Sequence, residues 1–185
     1  MNLIRLLALG CAVLLGIPCC AATLPDGSTL TLAQSGRSVK RVLRIGHHLR
    51  HASIDSRLHG ILHEALDAFV VGGRGFSFEG HVYAILAVTK QSAKDGRAYC
   101  GAGTEEVLLL VELQRERNSL ALRDSLKVQS CLETFELISD RGHELRRLLA
   151  EMDEPSRIGL TWLNHPQFGD TPRVVTVSDG KFRVE

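Results

Sequence analysis

Apolar positions recur along this chain at two different spacings, and the change of spacing predicts where helix gives way to strand. In "SIDSRLHGILHEALDAFV", residues 53–70, the residues Ile54, Leu58, Ile61, Leu62, Ala65 and Phe69 fall on one stripe at helical spacing. The spacing predicts the main helix over about 53–70. Ser53 is placed to cap its N-terminus and Asp55 to oppose the helix dipole in the first turn. Gly72 and Gly73 follow as stop signals. His59, His63, Glu64 and Asp67 lie off the stripe, toward water or a partner.

Elsewhere the period is two. "STLTLAQ" sets Leu30 and Leu32 on one side and predicts a short edge strand; the basic "SGRSVKRVLRIG" that follows reads as strand or loop. "FEGHVYAILAVTK", "TEEVLLLVEL", "NSLALRDSLKVQS" and "CLETFELIS" each predict a strand. In "TEEVLLLVEL" both faces are apolar: Val107, Leu109 and Val111 on one, Leu108 and Leu110 on the other. Such a strand belongs in the middle of a sheet, covered on both sides. Glu105 and Glu106 would then point to opposite faces as flanking charges that keep an apolar strand soluble. "DRGHELRRLLAEMDEPS" predicts a short second helix, about 143–152, ended by Pro155. "RIGLTWLNH" and "PRVVTVSDGKFRVE" predict strands, the latter a hairpin turning at Asp179–Gly180. The expected fold class is α+β: one domain, mainly an antiparallel sheet of about five to seven strands, with one main packed helix.

The N-terminus changes the setting. "MNLIRLLALGCAVLLGIPCCAA" has Arg5, an apolar stretch of about 12 residues, Pro18 and small residues, the layout of a secretory signal peptide. The stretch is short of the roughly 20 residues that span a bilayer. The expectation is a leader over 1–22, cleaved after Ala21 or Ala22, and a periplasmic or secreted domain over 23–185 without a transmembrane segment. Acylation at Cys11, Cys19 or Cys20 is the lipoprotein alternative. Removing the leader takes away Arg5 and leaves 21 basic against 21 acidic side chains. That balance argues against nucleic acid as partner, because displacing counterions needs a basic excess.

Export also bears on the cysteines. Cys100 and Cys131 remain, and an even pair in an exported domain reads as a disulfide. A thiolate nucleophile at Cys100 is the alternative. Glu105 and Glu106 would raise its pKa, and the nearest downstream histidine is His143.

Candidate chemistry is sparse. His47 and His51, and His59 and His63, are spaced four apart, as a helical metal-binding pair would be. No third ligand is evident, and Glu64 falls outside the His-Glu-x-x-His arrangement, so no metal or other cofactor is expected. "VVGGRGFSFEG" lacks the Lys-Ser or Lys-Thr of a phosphate loop. No Gly-x-Ser-x-Gly is present. "LNHPQFGD" follows the single tryptophan and groups Trp162, His165 and Phe168 as a recognition surface. With His59 and His63 these form the expected partner contacts. The reading that follows is a non-enzymatic exported protein, an inhibitor or immunity-type protein whose partner is an envelope-acting toxin or lytic enzyme. The alternatives are an envelope hydrolase using His and acidic residues, and a metal binder using the His47–His63 cluster.

Overall fold

The structure is a computed structural model and describes residues 20–35, 40–45, 50–92, 103–138 and 145–185. It is mostly β, with curled sheets and two α-helices among the described residues. The expected α+β arrangement with one main packed helix is therefore overturned. A four-stranded sheet comprises β1 (Cys20–Thr23), β2 (Thr29–Ser35), β3 (Lys40–Ile45) and β4 (Arg50–His51). β2 lies between β1 and β3 and is not an edge.

The central sheet has six strands. β5 (Ser53–Ile54), β10 (Ser119–Ser130), β9 (Thr104–Gln114), β8 (His81–Gln91) and β6 (Ala65–Val70) lie in that order, and β7 (Phe76–Phe78) also pairs with β8. A third sheet runs β11 (Glu136–Leu137), β12 (Arg157–Leu163), β13 (Pro172–Ser178), β14 (Lys181–Val184). Among the described residues, all strand pairings are antiparallel except β5 with β10.

The two-faced strand behaves as its pattern requires. Leu109 and Val111 of β9 join a core closed by Leu58 and Leu62 of α1 (Ser56–Glu64) and by Ala22, Leu30 and Leu32 of the N-terminal sheet. Leu108 and Leu110 join the opposite core, closed by Ile158, Trp162 and Val175 of the third sheet and Leu149 of α2 (Leu145–Ala150). The molecule is thus three layers deep, with the central sheet in the middle. Ala22 is buried in β1, so cleavage after Ala21 or Ala22 would fall inside this strand.

The helix predicted over 53–70 divides at Ala65. Its first half forms α1, capped by Asp55 and not by Ser53. Its second half, "ALDAFV", is β6 and pairs with β8. Ala68 and Val70 face one core while Phe69 faces the other, a two-sided demand that a one-faced surface helix does not meet. Two hairpins turn on consecutive residues with positive φ: Glu79–Gly80 between β7 and β8, and Asp179–Gly180 between β13 and β14. That is the turn whose twist matches paired strands. The first was read as part of one strand; the second was legible. "CLETFELIS" supplies only the two residues of β11, after a turn at Cys131–Thr134. Among the described residues no helix is long and apolar enough to cross a membrane.

Asp55 joins layers as well as capping. One carboxylate oxygen accepts the Leu58 N–H at 2.9 Å, and the other accepts the Leu122 N–H of β10 at 2.5 Å. Asp55→Ala removes the cap and leaves a partly buried N–H without its acceptor. The expected loss is about 2–3 kcal/mol, and Asp55→Asn, which keeps one acceptor, is expected to lose less; urea unfolding checks both.

Candidate functional site

The most distinctive chemistry lies at the end of the central sheet where β8 finishes and β9 begins. Lys90 lies directly opposite Glu105, and Thr89 opposite Glu106. As the alternation predicts, the two glutamates point to opposite faces, and their surroundings differ. Glu105 is buried, yet accepts a hydrogen bond from the Ser130 hydroxyl at 2.9 Å. The ammonium groups of Lys90 and Lys127 each lie 3.7 Å from its carboxylate. Its charge is fully answered.

Glu106 is not answered in this way. The Thr89 hydroxyl donates to it at 2.7 Å, and among the described residues no cation pairs with it. Burial pushes its carboxyl above the ordinary range, and the Thr89 hydrogen bond only partly offsets that. It borders a cleft of about 150 Å³ between this face of the sheet and α2. Phe69, Ala87, Leu108 and Val128 line it from four adjacent strands, with Leu149 contributed by α2. Asp67 of β6 lies opposite Thr89, so Asp67, Thr89 and Glu106 make one polar row across three strands. The Arg146 guanidinium of α2 pairs with Asp67 and sits 5.0 Å from the centre of the Phe69 ring. One carboxylate of the row is therefore neutralised and the other is left open.

The folded-state pKa of Glu106 lies above the ordinary value, so the folded form holds the proton more tightly than the unfolded chain. The associated stability is complete in acid and is lost as pH rises through the folded pKa. Glu106→Gln is therefore expected to raise Tm near neutral pH, with an advantage that shrinks toward pH 4; thermal unfolding across that range checks it.

The residues singled out in the sequence separate into two places. Trp162 is completely buried, and its indole N–H donates to the Val128 carbonyl at 2.7 Å. His165 is also buried, with its ring centre 4.5 Å from Phe135, 4.8 Å from Trp162 and 4.5 Å from Phe168. Its Nδ1 accepts the backbone N–H groups of Gln167 and Phe168 at 3.1 and 3.2 Å. Burial holds its pKa below the usual value near 6.5, and the neutral ring is the form that can accept there. Trp162 and His165 thus brace the loop rather than offer surface, which corrects their expected role as contacts, while Phe168 is half-buried against them. The loop's outward groups are Asn164, Gln167 and Asp170, preceded by the exposed Leu163. Asn164 adopts φ +59°, and its N–H donates to the Asp170 carboxylate at 2.6 Å.

His59 and His63 are exposed and stacked 6.1 Å apart on α1, across the central sheet from the aromatic cluster. The structure does not bring the two groups together. His47 lies outside the described residues, as do the side chain of His51 and all of His143. Among the described residues no three His, Cys, Asp or Glu side chains gather as a metal site. Cys131 is disulfide-bonded. Cys100 lies outside the described residues, and among those described no two cysteines are joined.

Sequence reasoning missed the polar row. Asp67 read as the wet side of a helix and Glu106 as a flanking charge, because cross-strand register is not written in local periodicity. The cleft and the braced loop share an end of the molecule. Val128 lines the cleft and accepts from Trp162, while Glu133, in the turn after β10, lies close enough to act on the His165 charge. No family model, curated protein or solved structure matches this chain.

Proposed function

We propose that the chain is an exported, non-enzymatic binding protein, an inhibitor or immunity-type protein that engages a toxin or lytic enzyme of the bacterial envelope with the end of the molecule carrying the loop over 164–170. The observation that carries this reading is the His165 brace. One buried imidazole, held among three aromatic rings, fixes the loop backbone from within. A loop ordered before binding avoids the ordering cost that otherwise consumes affinity, the general strategy of tight inhibitors. Beside it Leu163 is 41% exposed and supplies apolar area to a polar rim.

The test uses a panel of purified peptidoglycan hydrolases acting on cell-wall substrate. Stoichiometric inhibition of one of them, weakened at least tenfold by Leu163→Asp or Gln167→Ala, is the expected result. Indifference of every hydrolase, with no complex formed in envelope extract, would overturn it.

A second reading, an envelope hydrolase, is favoured by the contrast between Asp67, paired with Arg146, and Glu106, pushed toward its protonated form, in one cleft. Size weighs against it. Ligand pockets usually measure about 300–1,000 Å³, whereas a void of about 150 Å³ holds one benzene-sized group. Release of soluble fragments from cell wall by the protein alone, abolished in Glu106→Gln, would reverse the order of the two readings.

A further inference from the structure

We propose that the cleft beneath α2 is a recognition site for an alkyl-ammonium or guanidinium group, supplied by a lysine or arginine side chain of the protein partner, with Glu106 receiving the charge and the apolar walls receiving the stem. This rests on the binding reading and adds the partner's chemistry to it.

Glu105 and Glu106 are neighbours with unlike surroundings. They share a strand and a sheet end, and differ in what answers them. Glu105 has two lysines and a serine; Glu106 has one threonine hydroxyl. A carboxylate taken partly out of water without a cation destabilises the fold that holds it. Partly desolvated groups of this kind concentrate where a ligand supplies the missing partner.

The surroundings then select the ligand. Asp67 is already engaged by Arg146, so the row offers one open negative charge and not two. Thr89 donates to one oxygen of Glu106, which leaves the other oxygen for an incoming donor. Phe69, Leu108, Val128 and Leu149 offer apolar wall to methylene groups, while Arg146, which also lines the cleft, is spent on Asp67. The volume of about 150 Å³ admits a single side chain. A lysine or arginine has this shape, an apolar stem with a cationic head. A buried anchor surrounded by a rigid rim is also the usual form of an interface hot spot.

The probes are n-butylammonium, n-butanol of the same shape without charge, N-acetyl-lysine methylamide and the polyamine putrescine, titrated into the full-length folded protein and followed by NMR. Saturable shifts at Phe69, Thr89 and Glu106 with n-butylammonium and the lysine derivative are expected. Affinity should fall at least tenfold in Glu106→Gln, and n-butanol should leave these signals in place. Thr89→Val, which keeps the carboxylate, should retain most of the binding. Equal binding of n-butanol, or undiminished binding to Glu106→Gln, overturns the charge recognition. Putrescine bound at least tenfold more tightly than the lysine derivative overturns the protein source in favour of a free amine. Inhibition of a hydrolase that survives Glu106→Gln at full strength overturns the cleft as its contact while leaving the binding reading intact. Amine binding with no hydrolase inhibited and no complex formed fails the binding reading instead, and with it the partner as source.

Discussion

Trp162→Ala is expected to destabilise the fold by about 3–5 kcal/mol, the cost of deleting a large buried aromatic side chain whose site cannot collapse fully. Set against a typical domain stability of about 5–15 kcal/mol, this is among the largest effects open to a single substitution. It corresponds to a fall of about 6–20 °C in Tm for a chain of this length. Three losses combine. The ring leaves a void in the core shared by the central sheet, α2 and the third sheet. The Val128 carbonyl loses its donor inside the protein. His165 and Phe168 lose the face against which both pack.

The last of these reaches the surface. Because His165 holds the 164–170 backbone from below, the loop should loosen even in molecules that remain folded. Hydrogen exchange at Gln167 and Phe168, the two N–H groups bonded to His165, is expected to speed up more than exchange in the centre of β9. Trp162→Phe separates the effects, since it retains ring contacts and loses only the indole N–H and part of the volume. It should cost clearly less stability and leave the loop better protected. Urea unfolding that finds Trp162→Ala within about 1 kcal/mol of the parent would show that the aromatic cluster does not carry the packing assigned to it.

What could be read from the chain before its structure was known divides along physical lines. β9 was legible because its apolar residues occupy both parities, and only a central strand satisfies that. The β13–β14 hairpin was legible because Asp-Gly accommodates the two positive φ values that the turn requires. The helix over 53–70 was half right. "SRLHGILHE" has a helical stripe, and "ALDAFV" happened to continue its phase while packing as a strand between two cores. Periodicity over six residues does not separate these outcomes; pairing with β8 does.

The functional readings fared differently for a similar reason. Trp162, His165 and Phe168 pack together, but whether the indole points inward depends on which face of β12 meets the core. The row of Asp67, Thr89 and Glu106 joins residues up to 39 positions apart through register alone. No local motif records it.

The second large effect concerns Cys131. Reduction, or Cys131→Ser, is expected to cost about 3–4 kcal/mol if the bond closes the roughly 30-residue loop back to Cys100. We propose Cys100 as the partner on grounds of register. β10 ends at Ser130, opposite Glu105; Cys131 opens the turn that follows, and Thr104 precedes Glu105 on β9. Gly103 and Thr104 border the same open depression as Cys131. Four residues of chain reach about 13 Å, ample for the Cα separation of about 5.5–6 Å that a disulfide needs. In the chain-entropy account the bond acts on the unfolded state, so its removal should lower Tm while leaving the native surface unchanged. This distinguishes it from Trp162→Ala, which alters the folded loop as well. Mass spectrometry of a non-reduced digest should yield one peptide pair joining Cys100 to Cys131. A pair joining Cys131 to another cysteine would refute the assignment, and an activity lost on reduction with Tm unmoved would make the sulfur a reagent instead of a staple.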